Sequence, residues 1–296
     1  MDSAKGTDAK NASIGQLPPN QGKIIYKLNL TEDLAIIRMQ PTDGSFISDF
    51  KAGQFVTLGV KLPEENKIVY RAYSISSAPE EKRYYEFYIK WALEPIPGKI
   101  TSVIFHLNEG NTILWRKPAG TFTIEDKKPD GTEESRRLVL VSSGTGLAPF
   151  ISYILHLRRK GTNRKIILLH GAKFPIELGY RNLLQDLANQ SNDTNSNSWN
   201  FKYLATISRP DHKLSKGWKG LTGRVETLLI KKDNNSVSDL ESIAGEKITN
   251  ENSFFYICGY QGTVDSVISL LHPLGFVTNR NRRKDGTFDI KIESYG

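Results

Sequence analysis

Residues 138–150 read LVLVSSGTGLAPF, and the organisation of the whole chain follows from this stretch. Four aliphatic residues make a buried strand, a Ser/Gly/Thr turn ends it, and an alanine and a proline open a helix. Gly144 permits an unusual backbone angle, and Gly146 lets a phosphate approach with no Cβ in its way. Thr145 reads as a helix N-cap, and Pro149 fits the first helical turn, where its missing N–H costs little. The helix N–H groups and dipole then point at an anion. The stretch is neither G-x-G-x-x-G nor G-x-S-x-G, and it lacks the lysine of a Walker loop, which argues against phosphoryl transfer.

Working outward toward the C-terminus, KIILLHG (165–171), FKYLATIS (201–208) and FFYICG (254–259) are further compact apolar strands. The segments 147–159, 177–190, 223–232 and 261–274 alternate with them and carry helical potential. Strand–helix alternation predicts a parallel sheet with helices on both faces, and a ligand beyond the C-terminal strand ends near the switch in strand order. Polar stretches at 191–200 and 233–253 read as surface insertions. Toward the N-terminus the pattern differs: 23–30, 34–40, 54–61, 68–76 and 84–92 are short β-branched and aromatic runs, and ITSVIFHL (100–107) is a helical window. Such strands predict a closed antiparallel barrel with one small helix. The expected division is a disordered tail over 1–22, an antiparallel β-barrel over 23–134 and an α/β parallel-sheet domain over 135–296.

The 296 residues are 38% hydrophobic and 24% charged, as in an ordinary soluble protein, and no apolar run approaches the ~18 residues of a membrane span. Residues 1–22 lack the apolar core of a signal peptide, so a cytoplasmic protein is expected. One cysteine, Cys258, excludes an intrachain disulfide and a cysteine-ligated iron–sulfur cluster, and the five histidines show no metal-ligand spacing. A net charge of +8 suits an acidic protein or an anionic cofactor; the only dense basic run is NRNRRK (279–284), and no nucleic-acid motif is present.

Residues 71–79, RAYSISSAP, alternate so that Arg71, Tyr73 and Ile75 share one face and Ala72, Ser74 and Ser76 the other. Alone, this is a barrel strand with an outward Arg/Tyr pair. Followed by Pro97-Gly98-Lys99-Ile100-Thr101-Ser102, then G-T-G-x-A-P at 144–149 and Cys258-Gly259, it resembles the R-x-Y-S signature and companion motifs of the ferredoxin–NADP reductase superfamily, most closely the bacterial-type ferredoxin/flavodoxin–NADP reductases. The resemblance covers nearly all of the chain after residue 22. It implies an FAD-binding barrel followed by a Rossmann-like NADP-binding domain.

Under that resemblance Arg71 and the helix start at Gly98–Ser102 take the FAD diphosphate, Tyr73 stacks on the isoalloxazine, and Ala72 and Ser74 lie against it. Gly144, Thr145, Gly146 and Pro149 hold the NADP diphosphate. Lys173, Ser208, Arg209 and Arg224 surround its 2′-phosphate, Lys173 departing from the family's arginine. Cys258 and Gly259 lie against the nicotinamide; without a partnered histidine Cys258 is no covalent nucleophile. Glu293-Ser294-Tyr295 keeps the E-x-Y spacing of relatives, with Gly296 where many bacterial members have tryptophan. Tyr295 is then a candidate cover for the flavin, while Ser74, Cys258 and Glu293 tune the site. The implied activity is electron exchange between NADPH and a separate one-electron carrier, an acidic ferredoxin or flavodoxin, by a monomer with no metal, nucleic-acid or membrane partner. A reductase serving an oxygenase, cytochrome or quinone, or an electron-transfer subunit without its own turnover, are the alternatives.

Overall fold

The computed structural model describes residues 20–62, 66–91, 98–191, 199–231, 233 and 236–295. Pro97, Gly296, most of the expected tail and most of the 191–200 insertion lie outside them.

The first half is a six-stranded antiparallel sheet of β1 (Asn20–Thr31), β2 (Leu34–Pro41), β3 (Phe55–Leu62), β4 (Lys67–Ser74), β5 (Tyr85–Lys90) and β6 (Thr112–Trp115), ordered β4-β3-β6-β1-β2-β5. It curls until its edge strands nearly meet. Among the described residues the barrel is joined at one end, where Ile75 bridges Phe87 and the Ser76 N–H donates to the Glu86 carbonyl at 2.8 Å. Alternation explains the curl: Ala35, Ile37 and Met39 of β2 face Val56 and Leu58 of β3 inside the barrel. The other face of β2 is apolar at its start, where Leu34 and Ile36 join the core of the second half. Helix α1 (Lys99–His106) closes one mouth with Ile100 and Ile104.

The second half is a six-stranded parallel sheet of β7 (Arg137–Ser143), β8 (Ile166–Ala172), β9 (Phe201–Ile207), β10 (Leu221–Thr222), β11 (Ser253–Tyr260) and β12 (Ile290–Tyr295). Its order, β10-β9-β8-β7-β11-β12, reverses direction between β7 and β11. Helices α2 (Ala148–Lys160) and α3 (Arg181–Gln190) cover one face over Leu138 and Leu140; α4 (Asp239–Ala244) and α5 (Gln261–Leu271) cover the other over Val139 and Val141. Each fully buried aliphatic side chain contributes about 1.5–3 kcal/mol, so β7, buried on both faces, anchors the domain.

Several expectations change. The 223–232 segment is a short 3₁₀ turn, Val225–Leu229, whose two buried residues, Val225 and Leu228, are spaced by its three-residue period. Within the polar 233–253 stretch lies α4, capped by a Ser238/Glu241 box and ended by left-handed Gly245. The 177–190 helix begins only at Arg181, since Tyr180 is left-handed with φ +58°. The basic run is partly consumed internally: Arg283 pairs with buried Asp289, which also binds Arg136 at 2.7 Å.

Candidate functional site

At the reversal in strand order, the ends of β7 and β11 part. Gly144 adopts φ +55°, a left-handed angle that glycine enters without strain, and starts a 3₁₀ turn over Gly144–Leu147. Thr145 therefore lies inside that turn and is not an N-cap; α2 starts after Leu147 with no side-chain cap and Pro149 in its first turn. The Ala148 N–H is taken by the Thr145 carbonyl and Pro149 has none, so the donors facing an anion are those of the 3₁₀ turn that Gly144 opens. Gly146 differs from expectation in its reason: a Cβ there would run into the Cys258 carbonyl, so this glycine lets the turn pack against β11. Beside the turn the Ser143 hydroxyl is buried without a hydrogen-bond partner, an orphan donor at the mouth of the cleft.

Parallel register brings the remaining cations together. The Ser208 N–H donates to the Ala172 carbonyl at 2.9 Å and the Arg209 N–H to the Lys173 carbonyl at 3.2 Å, while the Gly223 N–H donates to Ile207 at 2.9 Å. Lys173, Ser208, Arg209 and Arg224 thus share the C-terminal edge of β8, β9 and β10, and with Gly144 and Tyr260 they line a cleft of about 390 Å³. The three cations are exposed. Arg209 lies over the Phe174 ring at 5.9 Å, and Arg224 makes only a loose 4.0 Å pair with Glu226.

Across β5 is a second, smaller cleft lined by Ala72, Tyr73, Ser74, Tyr88, Thr145 and Tyr295. The Ser74 Oγ and Tyr295 Oη lie 2.6 Å apart, and Ser74 donates to Glu293 at 3.4 Å. The Cys258 thiol is 4.0 Å from the same carboxylate, because Cys258 and Glu293 are register partners on β11 and β12. Burial pushes the Glu293 carboxyl up to about 7, against the lowering effect of its Ser74 and Tyr295 hydrogen bonds. Burial also pushes the Cys258 thiol well up, with Glu293 adding to the effect, so the thiol stays protonated. Four side chains from residues 74, 258, 293 and 295 form one cluster.

Arg71 is exposed, its Nη1 donating to the Tyr70 carbonyl at 2.9 Å, and Ala72 is exposed beside it. At the start of α1, Gly98 has extended geometry and no side chain caps the helix. The Thr101 and Ser102 hydroxyls turn back onto the Gly98 carbonyl at 3.1 and 2.9 Å, and the Ser102 N–H bonds the same oxygen. Those three groups are internally engaged, contrary to the reading that Ser102 N–H faces a ligand. What α1 offers outward is its uncapped N-terminal turn, beginning at Lys99 and Ile100.

Sequence reasoning missed Tyr88, Lys90, Glu177 and Tyr260. Tyr88 and Lys90 line both clefts and separate them. Their alternation on β5 was legible, but the turn they meet lies about ninety residues on.

The family model for an oxidoreductase FAD-binding domain matches residues 21–124, and that for an oxidoreductase NAD-binding domain matches residues 140–268. The chain is 30% identical over 258 residues to a flavodoxin/ferredoxin–NADP reductase of Buchnera aphidicola, covering 84% of this chain and 89% of that one. It is 31% identical over 176 residues to a flavohemoprotein of Halalkalibacterium halodurans, covering 58% of this chain and 39% of that protein. This chain thus spans under half the length of that relative. Among solved structures, a ferredoxin NADP+ reductase from Neisseria gonorrhoeae with bound FAD and NADP superposes with a TM-score of 0.72, 24% identity, and coverage of 94% of this chain and 99% of that one. At that identity the superposition speaks to the fold alone.

Proposed function

This chain belongs to the ferredoxin/flavodoxin–NADP reductase family of FAD- and NAD-binding oxidoreductases, and from that premise we propose that it exchanges electrons between NADPH and a separate one-electron carrier protein, ferredoxin or flavodoxin. The observation carrying this reading is the gathering of Lys173, Ser208, Arg209 and Arg224 beside the Gly144 turn in a single cleft. The donor set fits a nucleotide: the uncapped start of the 3₁₀ turn at Gly144 and an orphan Ser143 hydroxyl for a diphosphate, and exposed cations for a terminal phosphate.

When bound, FAD supplies the conversion between two-electron and one-electron chemistry; the residues do the rest. Arg71 and the N-terminus of α1 bind its diphosphate, Tyr73 packs against its ring system, and Ser74 presents a hydroxyl oriented by Tyr295 and Glu293. Gly144 and the 3₁₀ turn it opens would seat the diphosphate of NADPH, with Cys258 and Gly259 toward its nicotinamide end. Glu293, titrating near neutrality, holds or releases a proton close to the Ser74 hydroxyl. Tyr295 must move where nicotinamide and flavin stack.

A charge-assisted hydrogen bond contributes about 1.5–3 kcal/mol, and tenfold selectivity requires about 1.4. Two exposed arginines, partly screened by salt, therefore give roughly 10²-fold preference for NADPH over NADH. The net charge of +8 favours an acidic carrier. A second reading, delivery of electrons to a haem acceptor, draws on the similarity to the flavohemoprotein. Measuring cytochrome c reduction by NADPH with and without added ferredoxin or flavodoxin decides between them. A carrier-dependent rate is expected; a rate unchanged by every carrier removes them as partners.

A further inference from the structure

β5 presents three alternate side chains, Glu86, Tyr88 and Lys90, to one turn of the α/β half. Tyr180 Oη donates to Glu86 at 2.9 Å, and the Gly179 N–H donates to Tyr88 Oη at 3.2 Å. Tyr88 Oη donates in turn to the Glu177 carbonyl at 2.9 Å, and Lys90 Nζ donates to Glu177 Oε1 at 2.6 Å. Tyr180 holds its φ of +58° here, a left-handed angle that costs a tyrosine about 1 kcal/mol or more. These contacts repay that cost: its hydroxyl meets Ser76 as well as Glu86.

Glu177 reaches in two directions. While Oε1 meets Lys90, Oε2 accepts the N–H groups of Lys173 at 3.0 Å and Phe174 at 3.3 Å. The Lys173 carbonyl accepts the Arg209 N–H at 3.2 Å, and the Phe174 ring lies beneath the Arg209 guanidinium. One buried carboxylate thus fixes the backbone under two of the three exposed cations of the nucleotide cleft. An acid beside an anion-binding cleft is electrostatically adverse, so its presence calls for a positional reason. Lys90, held also by Asp33 at 3.4 Å, offsets its charge.

We propose that Glu177 is a specificity-positioning residue: braced by Lys90 from the barrel, it sets the 173–174 turn so that Lys173 and Arg209 face the nucleotide's 2′-phosphate. This role rests on the NADP reading above. Its sign separates it from simple electrostatics, since removing a negative charge near an anion should tighten binding, whereas loosening the turn should weaken it.

The test is calorimetric titration of the FAD-loaded protein with adenosine 2′,5′-bisphosphate and with adenosine 5′-monophosphate. Glu177→Ala is expected to weaken the bisphosphate about tenfold and to leave the monophosphate within about twofold. Glu177→Gln keeps an oxygen for the two N–H groups and is expected to restore most of that affinity. Lys90→Met, which removes the brace together with a cation lining both clefts, is expected to weaken the bisphosphate selectively and by less, whereas loss of that charge alone would weaken both ligands; it carries the test if Glu177→Ala does not fold, as judged by flavin content and melting. Tighter bisphosphate binding in the variants, no change, or parallel weakening of both ligands overturns the role. A wild type that binds both ligands alike overturns the NADP reading and this role with it; a wild type that prefers the bisphosphate, with variants unchanged, overturns the role alone.

Discussion

The two clefts on either side of Tyr88 and Lys90 solve opposite problems. The nucleotide cleft is an open edge of strand ends: its backbone is fixed by the β8–β9–β10 ladder, and Lys173, Arg209 and Arg224 reach from it into solvent. The other cleft backs onto a buried cluster, Ser74, Cys258, Glu293 and Tyr295, bonded among themselves, with burial raising the pKa of the last three. Exposed cations recognise a charge and are screened by salt; a desolvated cluster tunes a reaction by excluding water. One region should therefore govern which nucleotide binds, and the other how fast chemistry proceeds once it has.

The harshest way to break the comparison is to strike where the clefts touch. Gly146→Ala drives a Cβ into the Cys258 carbonyl, pushing the nucleotide turn off β11 and disturbing both sites. It is expected to cost about 3 kcal/mol of stability, read by thermal melting, and to lower both nucleotide affinity and the rate of flavin reduction. Next, Arg209→Ala with Arg224→Ala should raise KM for NADPH about 10²-fold while leaving KM for NADH within about threefold. Steady-state kinetics with both nucleotides measures this, and the difference should shrink at high salt.

Ser74→Ala touches the buried cluster alone. It should slow flavin reduction about tenfold with little change in NADPH affinity, as seen in single-turnover kinetics. An equal loss in binding would erase the division of labour. The mildest change is in pH dependence. The Glu293 carboxyl is raised in the folded state to about 7, so its stabilising share is complete below its ordinary range near 4.5 and is lost as pH rises through 7. Melting temperature should fall over that window in the wild type, and Glu293→Gln should flatten that part of the curve.

The sequence was most legible where chemistry is local. The strand–turn–helix at 138–150 and the alternation through 71–76 are continuous in the chain, so hydrophobic period and turn residues reveal them. The strand-end cations were recovered by resemblance, and the parallel register that assembles them spans some fifty residues, from Lys173 to Arg224. What escaped depends on docking of the two halves. That β2 packs one side into the barrel and places Leu34 and Ile36 in the core of the second half follows from tertiary packing and not from period. Likewise, Glu177 reads as a helix-start acid until Lys90 of the barrel stands against it. The capped helix at Asp239–Ala244 was missed although Ser238 and Glu241 carry its signature, because the surrounding polar residues looked like an insertion.

The central claim is that NADPH, bound by the cation-lined cleft, reduces FAD held beside the Ser74 cluster. Rapid anaerobic mixing of the FAD-loaded protein with NADPH, with NADH run in parallel, tests it directly. Loss of the oxidised flavin absorbance within seconds, with NADPH effective at roughly 10²-fold lower concentration than NADH, is the expected result. An oxidised spectrum that persists with NADPH, or equal efficacy of the two nucleotides, would contradict it.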